Sequence, residues 1–170
     1  MSSTTAIDRL EEQLRGEAGR RLVHVSGTGV PLLYLLSITT WGQARAMYLL
    51  LAGGALALES LRLIVGLDVW LFNHLIREYE EDNIAGYVLY MLSSTVAAVS
   101  FGPQIAVPAI LMLTLGDPIS GTVGGDELRV IKQPIALGAM FLVSAAITAP
   151  FHYTTPLVVV CGGLAGMIAD

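Results

Sequence analysis

Apolar residues arrive in six blocks: Val30–Thr40, Met47–Leu58, Val88–Val99, Ile105–Leu115, Ile135–Ile147 and Leu157–Ile168. A helix that crosses a membrane needs roughly 20 mostly apolar residues. Extended by their neutral flanks, five blocks reach that length and Ile105–Leu115 does not. The pattern predicts a first span from about Leu22 to Thr40, a short turn holding Trp41, Gly42 and Arg45, and a second span from Ala46 to Leu67. Residues 68–84, DVWLFNHLIREYEEDNI, form a mixed aromatic and acidic segment outside the hydrocarbon. A third span runs from about Ala85 to Phe101, Gly102-Pro103 breaks it, and a short apolar segment reaches Leu115. The polar loop 116–132 follows, and two last spans are joined by Ala149–Thr155.

A single helix over residues 85–115 would be about 46 Å long at ~1.5 Å per residue, well beyond a hydrocarbon core of ~30 Å. Gly102, Pro103 and Pro108 also interrupt it, and proline inside a helix removes a hydrogen bond. Two crossings fit better. The second is short, which sets Asp117 at or slightly below the headgroup level, where broken helix is tolerated when it lines a polar cavity. Ahead of the spans, Thr5-Ala-Ile-Asp8 has capping-box spacing, and Ile7, Leu10, Leu14, Ala18 and Leu22 recur at helical intervals. Residues 6–21 therefore read as an amphipathic helix on the membrane surface. The expectation is an all-α, polytopic integral membrane bundle of about six transmembrane helices. Residues 1–21 form its N-terminal amphipathic, cytoplasmic segment, and residues 22–170 its transmembrane domain.

Composition strengthens the membrane reading: 54% of residues are hydrophobic and 14% charged, against about 25% charged in soluble domains. The first 21 residues mix Asp8, Glu11, Glu12 and Glu17 with Arg9, Arg15, Arg20 and Arg21, unlike the short basic start of a secretory signal. With six crossings, one side holds Arg9, Arg15, Arg20, Arg21, Arg77, Arg129 and Lys132, and the other holds only Arg45. That asymmetry places both termini and the loops 68–84 and 116–132 in the cytoplasm. A net charge of −5 without a basic stripe argues against nucleic-acid binding. The lone Cys161 excludes an intramolecular disulfide and a paired-cysteine metal site.

Five polar groups can carry chemistry. Gly116-Asp117 with Gly121, Gly124 and Gly125 offers a carboxylate for a hard cation such as Mg²⁺ and a flexible loop whose N–H groups can meet phosphates. Equally, Asp117 can cap a helix begun by Pro118, with the glycines forming a turn. Arg129 and Lys132, beside Asp126 and Glu127, either neutralise nucleotide phosphates during phosphoryl transfer or serve as solvated charges that fix topology. Arg20, Arg21 and His24 share one helical sector at the membrane entrance, suited to a lipid or nucleotide phosphate, or to plain anchoring. Glu78, Glu80, Glu81, Asp82 and Asn83, followed by Gly86, bind a cation, face a basic partner or make a solvated turn. Glu59 and Arg62 interrupt the second span at helical spacing, either as a structural pair or as the lining of a functional cavity.

Laid out in order, these residues resemble the dolichol kinase and phytol kinase family of CTP-dependent polyprenol kinases. EAGRRLVHVSGTGVPLL, residues 17–33, is similar to the family's opening Glu-x-x-Arg-Lys-x-x-His-x-x-x-Gly pattern. LESLRL resembles its charged second span, REYEEDNIAGYVLYMLSS its Arg-x-x-Glu…Gly stretch, and LMLTLGDPISGTVGG its Leu-Gly-Asp-x-x-Ala/Ser-x-x-x-Gly signature. The resemblance implies transfer of the γ-phosphate of CTP to a membrane isoprenoid alcohol, dolichol-like or geranylgeranyl-type, with a divalent cation. Asp117 and Lys132 would then be catalytic, and Asp117, Glu78 and Glu80 would face the metal. Gly116, Gly121, Gly124, Gly125, Arg129, Arg20, Arg21 and His24 would bind nucleotide, and Glu59, Arg62, Asn83 and Gly86 would line the lipid-facing cavity. The chain departs from the family in reading KQPIALGAM after its lysine, without the usual Ser/Thr and Glu-Gly, and in ending at Asp170 before an acidic Asp-Asp-Asn-type segment. A CTP:lipid cytidylyltransferase and a non-catalytic scaffold or small transporter are the alternatives.

Overall fold

The structure is a computed structural model and describes residues 25–66, 83–116, 119, 134–152 and 154–169. Six helices carry the described residues, with no strand among them: α1 (Gly29–Leu35), α2 (Trp41–Ser60), α3 (Gly86–Ser100), α4 (Pro103–Leu111), α5 (Pro134–His152) and α6 (Pro156–Ala169). The expected order of helices is therefore present among these residues, while the expected amphipathic helix over 6–21 lies outside them.

The boundaries differ from expectation at three places, each for a local reason. The first helix stops at Leu35, short of Thr40. Ser37 adopts a left-handed backbone with φ of 59°, and the amides of Ser37 and Ile38 return to the carbonyls of Tyr34 and Leu33. That is a Schellman stop, usually signalled by glycine, and the stretch LLSITT has none. Trp41, Gly42 and Arg45, expected in a turn, form the first turns of α2 instead. The Gln43 amide donates to the Thr40 hydroxyl at 3.3 Å and the Thr40 amide donates to Gln43 Oε1 at 2.8 Å, a reciprocal cap that starts the helix at Trp41. Finally, α5 runs through Pro150 to His152, leaving only residues 153–155 as its link to α6.

Two helices extend into a π-helical turn at the same end of the bundle: α2 through Leu61–Val65, closed by left-handed Gly66, and α4 through Met112–Gly116. The buried face of α2 is Ala44, Tyr48, Ala52, Ala55 and Glu59, mostly small residues that let a neighbour approach closely. That neighbour is α3, antiparallel to it, and the Thr95 hydroxyl donates across to the Tyr48 carbonyl at 3.0 Å. After a two-residue break α4 folds back, with Pro103 at its first position, where a missing N–H is harmless. Val30, Ala44, Tyr48, Ala98 and Ile110 join α1 to α4 in one core.

The α5–α6 hairpin packs on α4, with Met140 lying over Gly116. Inside the hairpin, Gly162, Gly163 and Gly166 face Thr148, Phe141 and Ser144 so closely that no side chain fits between. The outside of the bundle is apolar: Leu50, Ile64, Leu142, Leu157 and Ile168 are all largely exposed. Trp41–Ile64 and Pro134–His152 are long and apolar enough to cross a membrane, and only 22% of each spanning window is buried. The core helix of a soluble protein would be mostly buried, so this exposure is what lipid contact calls for.

Candidate functional site

Glu59 lies in the last α-helical turn of α2, is 4% exposed and is the hub of the polar site that the described residues build. Three residues on, Arg62 falls on the same side of the helix. Its Nη2 donates to Glu59 Oε1 at 2.7 Å and its Nε to Oε2 at 3.1 Å, a two-pronged pairing. The same carboxylate accepts from the start of α3: the Ala85 amide reaches Oε1 at 2.8 Å and the Tyr87 hydroxyl reaches Oε2 at 2.8 Å. Arg62 Nη2 also donates to the Asn83 carbonyl at 2.6 Å. Glu59 thus accepts four hydrogen bonds, two on each oxygen, which satisfies a buried carboxylate and leaves it unsuited to ligate a metal or take a proton.

The other end of the α2–α3 pair is held by a charge of opposite sign. Arg45 Nε donates to the Ala98 carbonyl at 2.9 Å and Nη2 to the Phe101 carbonyl at 3.0 Å. Its guanidinium lies 5.8 Å from the Trp41 ring centroid, and Tyr34 meets that ring edge-on at 5.2 Å. Arg45 and Glu59 are fourteen residues apart on α2, about 21 Å at ~1.5 Å per residue. The fifteen residues of α3 span about the same length. An acid therefore meets the N-terminus of α3 and a base its C-terminus, each matched to the helix dipole.

Of the sequence-predicted site residues, the structure brings Glu59, Arg62 and Asn83 into one hydrogen-bonded node, with Gly86 opening α3 beside it. Gly116 is buried in the π-helical turn that ends α4, and the space a side chain would need is filled by Met140. Asp117, Gly121, Gly124, Gly125, Arg129, Lys132, Arg20, Arg21, His24, Glu78 and Glu80 lie outside the described residues. Among the described residues no three His, Cys, Asp or Glu side chains gather where a metal could sit.

No family model, curated protein or solved structure matches this chain. The C-terminal turns of α2 and α4 and the first residues of α3 and α5 lie at the Glu59 end of the bundle, so the described helices hand the chain over to segments 67–82 and 117–133 at that end. A recess of about 480 Å³ at the opposite end is lined by Tyr34, Ser37, Thr39, Thr40 and Gln43, with no charged side chain among its lining residues. Sequence reasoning missed Ala85, Tyr87 and Arg45. The Arg45–Glu59 spacing, equal to the length of the next helix, was the available signal.

Proposed function

We propose that the chain is an integral membrane kinase that transfers the γ-phosphate of CTP to an isoprenoid alcohol at the cytoplasmic boundary of the membrane. One observation supports the reading: α2 and α4 end, and α3 and α5 begin, at the end that carries a buried carboxylate–guanidinium node, and the sequence that joins them is the polar part of the chain. A lipid alcohol and a water-soluble nucleotide can meet only at such a boundary. The likeness of LGDPISGTVGG to the kinase signature adds the phosphate chemistry. In the proposed topology six helices cross, with the termini and the loops 68–84 and 116–132 cytoplasmic.

In this reaction the alcohol oxygen attacks the γ-phosphorus, the bond to the β-phosphate oxygen breaks, CDP leaves and the alcohol proton passes to solvent or a carboxylate. Asp117, with Glu78 and Glu80, would hold the divalent cation, whose charge screens the phosphates. Lys132 and Arg129 would neutralise charge on the transferring group, and Arg20, Arg21 and His24 would face the same nucleotide. Positioning and electrostatics supply nearly all the catalysis in phosphoryl transfer. Glu59, with every acceptor position used, is not the base.

The test gives purified protein in lipid γ-labelled or α-labelled CTP, Mg²⁺ and a panel of isoprenoid alcohols and their phosphates. Label from the γ-position in lipid supports the kinase. Label from the α-position marks a cytidylyltransferase, and no label in any lipid leaves a non-catalytic membrane protein. Asp117→Asn is expected to abolish transfer while the protein stays folded; unchanged turnover would remove Asp117 from the site. Single cysteines placed at residues 102 and 154 of a Cys161→Ala chain are expected to react with an impermeant reagent from outside, and one at residue 120 only after permeabilisation.

A further inference from the structure

We propose that Glu59 and Arg62 are positioning residues: they hold the backbone at Asn83 and Ala85 and so fix where the chain enters α3 at the charged end. Stability alone does not account for them. An ion pair inside a spanning helix is costly to desolvate, and apolar residues of similar volume serve stability as well or better. What the pair adds is placement. Both oxygens of Glu59 bond the start of α3, one through the Ala85 amide and one through Tyr87, while Arg62 bonds the Asn83 carbonyl. Two of these three targets are main-chain atoms, so the node fixes backbone position whatever side chains surround it. The four hydrogen bonds of the Glu59 carboxylate come from Arg62 at the end of α2 and from Ala85 and Tyr87 at the start of α3. The inference deepens the kinase reading, on which only the kinetic half of its test rests.

The test compares the full chain in lipid nanodiscs with Glu59→Met/Arg62→Leu, which removes both charges and leaves no unpaired ion, and with Tyr87→Phe, which removes one bond. The double variant is expected to stay folded and to melt somewhat lower than the parent, because the Ala85 amide and the Tyr87 hydroxyl lose their acceptor. Its amides at Ala85, Val88 and Leu89 are expected to exchange about tenfold faster or more, with exchange over residues 91–100 unchanged. Tyr87→Phe shows a smaller rise at the same amides. In the labelled-CTP assay KM for the metal nucleotide rises about tenfold while KM for the lipid holds, which a merely structural role would not produce. Unchanged exchange at those three amides overturns the proposal, as does a uniform rise along α2 and α3 or an unchanged nucleotide KM in an active protein. If the parent transfers no label, the kinase reading falls and the exchange comparison decides positioning by itself.

Discussion

Arg45 donates to carbonyls at the end of α3, where the last four carbonyls of any helix lack partners within it. Its guanidinium is planar and forked, so it serves Ala98 and Phe101 together while keeping a face on Trp41. Arg45→Met is expected to lower unfolding stability in detergent by roughly 1–3 kcal/mol, and Arg45→Lys to recover only part of that. Equal denaturation midpoints for Arg45→Met and the parent would remove the cap from the account. Glu59→Gln has the larger expected effect, about 3–5 kcal/mol, because it removes the charge that balances Arg62 and turns one acceptor oxygen into an amide that opposes the donors of the node. The sequence showed Glu59 and Arg62 as charges at helical spacing but not their partners. A backbone donor such as the Ala85 N–H has no side-chain signature, and the partner of Arg45 is a pair of backbone carbonyls more than fifty residues away.

Helix order was legible from the apolar blocks, because burial in lipid and burial in a core both demand apolar runs. Helix ends were less so. The Thr40–Gln43 cap was written in the sequence and went unread, whereas the stop at Ser37 uses a residue that carries no such signal. Packing between helices is likewise hidden until facing positions are known. Gly54 on α2 has open space where a side chain would go, and Gly166 on α6 would drive a Cβ into the Ser144 Oγ. Gly166→Ala is therefore expected to cost about 1–3 kcal/mol, and Ser144→Gly in the same chain to restore most of it. Gly54→Ala is expected to raise stability by roughly 0.5–1 kcal/mol by lowering backbone entropy in the unfolded chain. Thermal unfolding of the four proteins checks both signs, and a destabilising Gly54→Ala would contradict the open environment.

At the scale of the whole molecule, the exposed apolar surface of α2 and α5 predicts that the chain stays in the membrane pellet after an alkaline carbonate wash and leaves it only with detergent. Recovery in the wash would argue against spanning helices. Of the candidate site, the sequence made the charged end and the Glu59–Arg62 pair visible. The hydrogen-bonded form of that pair depended on the fold, which alone brings the start of α3 beside the end of α2. The match between α3 and the Arg45–Glu59 interval has a further consequence for motion. Both grips sit on one helix about 21 Å apart and hold opposite ends of α3, so α3 cannot slide along α2 by a turn without giving up both. Arg45→Met is expected to free one end only: amide exchange at residues 97–101 should rise while that at Ala85 holds.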